Sequence, residues 1–377
     1  MKNNYEIKCL NCGKHLPLNY KYWKCIKCNG PLEVNIQKLN IDKNKLSKRA
    51  FNLWRYREAI PLNGKIRVTL GEGGTPLIEK EIEKHKVYFK LEYLNPTGSF
   101  KDRGASIAVN RAILLKAKRI VEDSSGNAGT AISAYSSAAR IPSKIYVPKN
   151  APKNKKNLIK AFGGYIIETK NRETAAKRAI SELGEDDYYI GHSWNPFFIE
   201  GIKTTAYEII EQNNWQPPDK IIIPVGNGTL LIGLFKGFKE MLTLGWINKI
   251  PKIIAVQAEG YTPLYEAIYN KKNKKKKSKL ADAIKITNPP RLNQMIKAIK
   301  ETNGEVIAVT DEEIITGLRK LLKIGLLVEP TSATAFSAFL KMKENIDTDE
   351  KICIILTGSG MKMINEIIKL TTVKNEK

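Results

Sequence analysis

The chain has 377 residues and a formal net charge of +25, and this length predicts one large or two medium domains with an ample core. It contains no apolar run of about 18 residues that would predict a membrane span, and its first residues lack the apolar stretch of a signal peptide. We therefore expect a cytoplasmic protein that does not bind a membrane. The positive charge comes mostly from dispersed lysines without interleaved aromatic residues, which indicates solvated faces and anionic small molecules rather than nucleic acid.

Four of the five cysteines lie near the N-terminus, in two Cys-x2-Cys pairs formed by Cys9 with Cys12 and by Cys25 with Cys28. Two such pairs at this separation are close to the spacing of a zinc ribbon, and tetrahedral zinc takes four thiolates. Two disulfides are the alternative, which the reducing cytosol disfavours. Four cysteines leave no open coordination position, so we expect a structural zinc ion. The fifth cysteine, Cys353, lies in an apolar run and is predicted to be a buried strand residue.

The predicted secondary structure begins with an alternating strand over 87–92, which is followed by turn residues and then by a helix over 105–113. From residue 119 onwards, predicted strands and helices alternate. The further strands are predicted at 119–123, 144–148, 165–168, 219–225, 253–258 and 351–356, and the further helices at 131–139, 158–162, 172–183 and 231–241. This order predicts an α/β fold in which helices cover the faces of parallel sheets.

Four loops fall where predicted strands end, and open α/β sheets bind their ligands at the carboxyl ends of strands. These loops are 95–104, 124–130, 226–230 and 357–360. In the first loop, Lys101 lies at a predicted helix N-terminus, where the helix dipole and partial desolvation lower the pKa of an amine and make it a nucleophile. The alternative is a surface lysine beside a helix cap.

The loop Gly226-Asn227-Gly228-Thr229-Leu230 lies between a predicted strand and a predicted helix. Its glycines let backbone N–H groups approach a phosphate, the helix N-terminus supplies a positive field, and Thr229 adds a hydroxyl. The loop lacks the third glycine of a dinucleotide-binding loop and the Gly-Lys-Ser/Thr ending of a P-loop. An ordinary strand-to-helix turn is the alternative.

The sequence Pro-Thr-Gly-Ser-Phe-Lys-Asp-Arg-Gly over 96–104 resembles the lysine motif of the tryptophan-synthase-β-like (fold type II) superfamily, whose enzymes use pyridoxal phosphate (PLP). It resembles threonine synthases in particular. Further segments similar to threonine synthases are 71–77, 281–290, 328–333 and 356–360, so that the resemblance covers about residues 71 to 366. Related threonine synthases often carry an N-terminal ribbon as well.

This resemblance implies an α/β fold of two doubly wound parallel-sheet domains that face each other across a PLP cleft, with a small N-terminal zinc ribbon. The ribbon would comprise residues 1–35. The large PLP-binding domain would comprise residues 36–104 and 191–377, and the small α/β domain would comprise residues 105–190. We expect a homodimer that acts on a small amino-acid substrate.

The resemblance also implies which residues bind PLP. Lys101 would hold the cofactor covalently and would then move protons at the substrate Cα and beyond. Asn127 would hydrogen-bond the 3′-oxygen of PLP, and Thr357 would bond its pyridine nitrogen. A hydroxyl leaves this nitrogen largely neutral, which favours elimination and replacement over transamination. The PLP phosphate would be bound by Gly226, Asn227, Gly228, Thr229 and Leu230.

The same resemblance implies a set of residues that contact the amino-acid substrate. They are Ser99, Ser125, Gly126, Ala128, Lys155, His192 and Ser193. The stretch 192–204 resembles Asn-Ser-x-Asn-Pro-x-Arg-x-x-Gly-Gln-Lys-Thr of threonine synthases, but His192 replaces the first asparagine, and Phe198 replaces the arginine that would bind a substrate phosphate. The phosphate could be held instead by Lys155, Lys156 or His192, or the substrate could lack a phosphate.

The predicted function is that of a PLP-dependent lyase that converts O-phosphohomoserine to threonine and phosphate, in which phosphate leaves Cγ and water adds at Cβ. The alternative is β-elimination or β-replacement on serine, phosphoserine or threonine, as in a dehydratase or a cysteate- or cysteine-forming synthase. A basic, zinc-ribbon nucleic-acid-binding protein on an inactive enzyme fold is a third hypothesis. We do not expect nucleic acid as a partner, because Lys101, Asn127 and Thr357 are all present.

Overall fold

The computed structural model describes residues 5–62, 66–124, 126–272 and 276–372. The chain forms two compact units, of which unit 1 comprises residues 1–74 and 95–207, and unit 2 comprises residues 75–94 and 208–377. Each unit contains a mainly parallel β-sheet, and unit 1 also carries a small antiparallel sheet. Within the described ranges, no helix is long and apolar enough to cross a membrane.

Strands and helices alternate through most of the described chain. The strands are β1 Tyr5–Cys9, β2 His15–Leu16, β3 Leu32–Ile36, β4 Leu77–Ile82, β5 His85–Lys90, β6 Arg119–Glu122, β7 Ser143–Pro148, β8 Tyr165–Thr169, β9 Asp187–Tyr189, β10 Lys220–Pro224, β11 Lys252–Ala258, β12 Glu305–Val309 and β13 Ile352–Ile355. The α-helices are α1 Lys101–Leu114, α2 Asn127–Ala138, α3 Lys153–Ala161, α4 Arg172–Ser181, α5 Pro196–Ile202, α6 Thr204–Gln212, α7 Thr229–Thr243, α8 Pro263–Tyr269, α9 Leu292–Glu301, α10 Asp311–Lys323, α11 Pro330–Met342 and α12 Ile364–Thr371. Short 3₁₀ helices span Lys43–Lys48, Leu53–Ala59, Glu92–Leu94, Asp282–Ile284, Lys343–Asn345 and Gly360–Met363.

The antiparallel sheet of unit 1 has the strand order β2-β1-β3. Alternate residues along β1 are buried, as expected for a sheet that is covered on one face. Its apolar face joins a hydrophobic cluster with Trp54, with Ile107 of α1 and with Phe197 of α5. The N-terminal sheet therefore packs against the two helices that carry Lys101 and Phe198.

The parallel sheet of unit 1 has the strand order β8-β7-β6-β9. Its central strands β6 and β7 are buried almost throughout, as expected where helices cover a parallel sheet. Helices α2 and α4 pack against these strands, α3 packs against β8, and α1 packs against α2 and α5. Strand β6 ends at Glu122, directly before the loop that leads into α2.

The sheet of unit 2 has the strand order β12-β11-β10-β13-β5-β4. Neighbouring strands are parallel except for β4 and β5, which form an antiparallel pair at one edge. Strands β10, β11 and β13 are nearly continuous runs of buried side chains, and α11 packs against them. Cys353 in β13 is 1% exposed, and burial raises the pKa of its thiol to about 12, so the prediction of a buried strand cysteine is confirmed.

The predicted α/β class with parallel sheets is confirmed, and each predicted strand and helix overlaps an element of the structure. Among the elements that the sequence patterns did not predict are the edge strands β4 and β12, the short strand β9 and helix α10. A signal for α10 was present, because Thr310 and Glu313 form a capping box at its start. The predicted domain limits of 1–35, 36–104 with 191–377, and 105–190 stay a prediction.

Candidate active site

The turn before Lys101 is held by the residue that follows it. The buried carboxylate of Asp102 accepts a hydrogen bond from the backbone N–H of Thr97 at 3.0 Å and another from the Thr97 hydroxyl at 2.8 Å. Gly98, within this turn, has a φ of +77°, which a side chain would disfavour. These features fix a tight turn whose end is Lys101, the first residue of α1. The predicted placement of this lysine at a helix start is confirmed.

Lys101 lies in an apolar environment that changes its chemistry. Its Nζ is 4.6 Å from the centre of the Phe100 ring and 5.6 Å from the centre of the Phe198 ring. Burial lowers the pKa of Lys101 from its usual 10.5 to about 8, against the opposing effect of the Glu122 charge. A larger fraction of the amine is therefore neutral near physiological pH, and the neutral amine is the nucleophile.

The buried Glu122 and the partly buried His192 form a hydrogen-bonded pair in unit 1. The Nδ1 of His192 is 2.7 Å from Oε1 of Glu122, and the backbone N–H of His192 donates to Oε2 at 3.3 Å. Burial raises the pKa of Glu122 to about 7 and lowers the pKa of His192 to about 3, and the nearby charge of Lys101 also disfavours a second proton on the ring. His192 is therefore neutral near physiological pH. Its Nε2 is 3.3 Å from Oγ of Ser193.

A second carboxyl group follows Glu122 directly. Oδ1 of Asp123 accepts a hydrogen bond from the Tyr189 hydroxyl at 2.8 Å. Burial raises the pKa of Asp123 to about 6, and the charge of Glu122 acts in the same direction. Our sequence reasoning missed both carboxyl groups. The available signal was their position at the carboxyl end of a strand, directly before a predicted ligand-binding loop.

The loop before α2 makes a close backbone approach. A Cβ at Gly129 would lie 1.9 Å from the carbonyl oxygen of Ser124, so this position requires glycine. The hydroxyl of Ser124 accepts the backbone N–H of Gly126 at 3.3 Å, and Asn127 is the first residue of α2. Ala128 is buried. The remaining predicted residue of this loop, Ser125, lies outside the described residues.

Phe198 occupies the position at which the resemblance expects an arginine. Its side chain is fully buried on α5, and a Cβ at Gly104 of α1 would come within 2.3 Å of its ring. The absence of a side chain at Gly104 therefore allows the aromatic ring to pack directly against α1. The ring centre of Phe198 is also 5.9 Å from that of His192, so Phe198 borders both Lys101 and His192.

The other predicted substrate residues of unit 1 differ in their surroundings. Ser99 is fully buried, and its Oγ has no hydrogen-bond partner among the described residues. A buried hydroxyl in this state favours a ligand group nearby. Lys155 on α3 is 2% exposed. Lys156 binds the carboxylate of Glu168 at 2.8 Å and the carbonyl of Lys149 at 3.1 Å, so its charge is already balanced.

Glu72, in the Gly-Glu-Gly segment that resembles threonine synthases, organises the core beside α1. Its fully buried carboxylate accepts hydrogen bonds from Trp54 at 2.8 Å, Ser106 at 2.5 Å and Tyr135 at 2.8 Å. Charged acceptors of this kind form stronger hydrogen bonds than neutral ones. The sequence showed only that this segment resembles threonine synthases and assigned no role to Glu72, because its partners are distant in the chain.

In unit 2, the loop 226–230 is built for a close backbone approach at a helix start. Gly228 has a φ of +80°, and a Cβ there would lie 2.4 Å from the sulfur of Met295. Thr229 and Leu230 begin the 15-residue helix α7 and are buried. Backbone N–H groups at the start of a helix suit an anion such as a phosphate. Gly226 and Asn227 lie between the end of β10 and this helix.

Thr357, also in unit 2, lies two residues after the end of the buried strand β13. Its backbone N–H donates to Oγ of Ser332 at 2.8 Å, and the next carbonyl, that of Gly358, accepts the N–H of Glu329 at 2.9 Å. Ser332 belongs to α11, so this loop is anchored to the start of that helix. The side chain of Thr357 is thereby held on a rigid support at the carboxyl end of the sheet.

The four N-terminal cysteines come together as their spacing predicted. Their sulfur atoms all lie within 4.8 Å of one another, with 3.4 Å between Cys9 and Cys28 and 3.7 Å between Cys12 and Cys25. Sulfur atoms in a disulfide are ~2.05 Å apart, whereas tetrahedral zinc with Zn–S distances of ~2.3 Å holds its sulfurs ~3.8 Å apart. The cluster therefore fits a zinc ion better than two disulfides.

Comparison with known proteins identifies the class of enzyme. Residues 68–358 match the family described as pyridoxal-phosphate dependent enzyme, and the chain belongs to this family. It is 36% identical to the threonine synthase of Methanocaldococcus jannaschii, across 94% of this chain and 92% of that one. It is 32% identical to the threonine synthase of Methanosarcina acetivorans, across 95% of this chain and 92% of that one.

A solved structure supports the fold assignment. The crystal structure of the O-acetylserine dependent cystathionine beta-synthase from Helicobacter pylori matches 78% of this chain and 95% of its own with a TM-score of 0.66, at 23% identity. The family match and the two threonine synthases, which align over more than nine tenths of both chains, show that the protein is a PLP-dependent lyase of the threonine synthase-like type, as the motifs predicted. PLP is its cofactor, and its chemistry belongs to amino-acid biosynthesis.

Proposed function

We propose that the protein converts O-phosphohomoserine to threonine and phosphate. The observation that carries this proposal is the similarity to curated threonine synthases over more than nine tenths of both chains. Further support comes from Lys101, which combines a rigid turn with a pKa lowered to about 8. Both features suit a lysine that binds PLP covalently and later transfers protons at the substrate carbons.

The proposal assigns a role to each predicted cofactor residue. PLP, when bound, supplies the electron sink for bond breaking at the substrate Cα and beyond. Asn127 would bond the 3′-oxygen of PLP, and Thr357 would bond its ring nitrogen. The anchored loop of Thr357 and the start of α2 support these roles. The PLP phosphate would be bound by Gly226, Asn227, Gly228, Thr229 and Leu230, which the helix start of α7 supports.

The substrate would be bound in unit 1 by the residues that the resemblance indicates. These are Ser99, Ser125, Gly126, Ala128, Lys155, His192 and Ser193. Of the three candidates for the substrate phosphate, Lys155 is the best supported, because it is buried and cationic. His192 is neutral near physiological pH, and Lys156 already binds Glu168.

A specific observation favours a second candidate, β-elimination or β-replacement on serine, phosphoserine or threonine. Phe198 takes the place of the expected phosphate-binding arginine and is packed against α1. Close to it lie a neutral His192 and the acidic Glu122. Such surroundings suit a distal group with less negative charge than a phosphate dianion.

The two candidates are separated by a substrate panel with product identification. The panel comprises O-phosphohomoserine, O-phosphoserine, threonine, and serine with a thiol or sulfite. Threonine and phosphate from O-phosphohomoserine support the first candidate. Turnover of a β-substituted amino acid, without any threonine from O-phosphohomoserine, supports the second. A protein that lacks the visible absorption of bound PLP and binds DNA instead would contradict both.

We further propose that the four-cysteine cluster holds a structural zinc ion, that the protein is a cytoplasmic homodimer, and that its domains follow the limits predicted from the sequence. The sulfur separations support the zinc ion. Metal analysis, sedimentation of the purified protein and limited proteolysis test these statements in turn.

A further inference from the structure

Three residues of unit 1 form a hydrogen-bonded chain that the roles above leave unexplained. Glu122 is 2.7 Å from Nδ1 of His192, and Nε2 of the same ring is 3.3 Å from Oγ of Ser193. The second oxygen of Glu122 accepts the backbone N–H of His192. The resemblance expects an asparagine at position 192. An asparagine has no imidazole ring, so it could not relay a proton between Glu122 and Ser193.

The two hydrogen bonds of the imidazole give this chain a direction. A neutral imidazole has one donor nitrogen and one acceptor nitrogen. The carboxylate of Glu122 can only accept, so Nδ1 carries the proton and Nε2 is the acceptor. The hydroxyl of Ser193 therefore donates to Nε2. Because a hydroxyl has one proton, Ser193 Oγ can only accept a hydrogen bond from any further group.

The charged groups around the ring support this arrangement. Lys101 on α1 and Arg172 at the start of α4 disfavour a second proton on His192, whereas Asp123 favours it. Burial dominates, and it lowers the pKa of His192 to about 3 while it raises that of Glu122 to about 7. Above about pH 7 the chain therefore consists of an ionised Glu122, a neutral His192 and an accepting Ser193 oxygen.

His192 and Lys101 both border the ring of Phe198, and the charge of Lys101 acts on both Glu122 and His192. The Nζ of Lys101 is 5.6 Å from the centre of the Phe198 ring, and the His192 ring is 5.9 Å from the same centre. A phosphate dianion offers only acceptor oxygens, so it does not suit an oxygen that can only accept. A water molecule offers two donors and does suit it. In threonine formation, water is the second substrate.

We propose that Ser193 binds and deprotonates the water that adds to the substrate, and that His192 and Glu122 are positioning residues that give Ser193 this capacity. This inference rests on the proposed function. As the water oxygen bonds to Cβ, one water O–H bond breaks, and its proton passes to Ser193. The Ser193 proton passes to Nε2 of His192, and the Nδ1 proton of His192 passes to the carboxylate of Glu122, so that the ring stays neutral. The electron pair of the Cα–Cβ double bond moves to Cα, which takes a proton from Lys101. The proton on Glu122 then returns along the same chain and is taken up by the phosphate that has left Cγ.

The first test reads the imidazole directly in the PLP-loaded enzyme. The chain has three histidines, so spectra of protein labelled with ¹⁵N-histidine contain few signals, and His192→Asn assigns the one of interest. At pH 8 we expect the tautomer with the proton on Nδ1, and we expect Glu122→Gln to abolish this preference. An imidazolium, or a proton on Nε2, in the wild-type protein would overturn the proposal.

The second test separates water addition from phosphate loss. With O-phosphohomoserine, the wild-type enzyme should form one threonine for each phosphate released. Ser193→Ala and Glu122→Gln should lower the threonine-to-phosphate ratio about 10-fold or more, because a positioned general base contributes about 10²–10⁴-fold. The dephosphorylated substrate that escapes hydration should appear as 2-oxobutanoate.

The control is His15→Asn, since His15 is an exposed residue of β2, and this variant should keep the wild-type ratio. If the Ser193 and Glu122 variants lose turnover but keep a one-to-one ratio, their role is only structural and the proposal fails. If the wild-type enzyme releases no phosphate from O-phosphohomoserine, the proposed function fails, and this inference fails with it.

Discussion

The carboxylate of Asp102 binds both the backbone N–H and the hydroxyl of Thr97, and this pair of hydrogen bonds closes the turn that ends at Lys101. Asp102 is fully buried, so no water replaces a lost bond. The position of Lys101, the lysine that we propose binds PLP, therefore depends on its neighbour in the chain.

Asp102→Asn should weaken this turn, because an amide offers one acceptor oxygen in place of two charged ones. We expect the free energy of unfolding to fall by about 1.5–3 kcal/mol, the range for a hydrogen bond to a charged group. Urea unfolding and PLP titration measure the two consequences. Asp186→Asn is the matched control, since Asp186 pairs with Lys118 on the surface and should matter little. Wild-type stability and PLP affinity in Asp102→Asn would contradict this account of the turn.

The lowered pKa of Lys101 predicts how covalent PLP binding depends on pH. Burial moves this pKa to about 8, so the neutral, reactive amine rises about 10-fold per pH unit below pH 8 and is nearly complete above it. The rate at which the apoprotein captures PLP, followed by absorbance, should rise in the same way and level off above about pH 8. A lysine-containing peptide is the control, and its rate should keep rising beyond pH 10. A protein rate that follows the peptide would contradict the burial of this amine.

The same shift makes a prediction for the stability of the apoprotein. An unfolded lysine keeps its proton up to pH 10.5, whereas folded Lys101 loses it near pH 8. The unfolded state therefore binds more protons between these values, and the contribution of this residue to stability rises as the pH rises through this window. Lys101→Met should remove that part of the pH dependence. An unchanged slope of unfolding free energy against pH in this variant would contradict the lowered pKa.

The N-terminal ribbon should hold one zinc ion per chain and should stabilise the helices around the site. Its sheet packs with Ile107 of α1 and Phe197 of α5, so loss of the metal should loosen these contacts. Cys12→Ser should lower the zinc content from one equivalent to near zero and reduce the thermal midpoint. Cys353→Ala, which changes a cysteine outside the cluster, should keep its zinc. A purified, reduced wild-type protein without zinc would refute the site.

Removal of residues 1–35 tests how far the ribbon affects PLP binding. We expect the PLP spectrum to persist, because Lys101 and its turn lie outside the deleted segment. The free energy of unfolding should fall, or assembly should weaken, because the buried side chains of Phe197 and Ile107 would become exposed to water. Loss of PLP binding in a truncated protein that is still folded would contradict this division of roles.

Phe198→Arg tests how the native protein binds a substrate phosphate. The ring of Phe198 packs on Gly104 and borders Lys101, so an arginine there would place a second cation in an apolar, fully buried place. If Lys155 already binds the substrate phosphate, we expect turnover of O-phosphohomoserine to stay unchanged or to fall, because the added arginine would be an unpaired charge in an apolar place. Phe198→Leu is the control and should keep most activity. Faster turnover in Phe198→Arg would instead indicate that the native phosphate contact is weak.

The sequence predicted the parts of this protein that follow from local pattern. Buried strands and glycine-rich loops have recognisable sequence patterns, so the positions of the loops after β6, β10 and β13 were predicted correctly. Glu122 was missed because its partner, His192, is 70 residues away and meets it only through pairing of β6 with β9. Glu72 was missed for the same reason, since Tyr135 is 63 residues distant. Local patterns carry no information on such contacts, which arise only when distant parts of the chain pack together.

The most direct test of the central claim is the reaction of the purified, PLP-loaded enzyme with O-phosphohomoserine, with threonine and phosphate measured together. Lys101→Ala is the matched control, and borohydride reduction followed by peptide mapping shows which lysine holds PLP. We predict equal amounts of threonine and phosphate from the wild-type enzyme, PLP on Lys101, and nearly no product from Lys101→Ala. The account would be contradicted if the wild-type enzyme formed no threonine, or if Lys101→Ala retained normal rates.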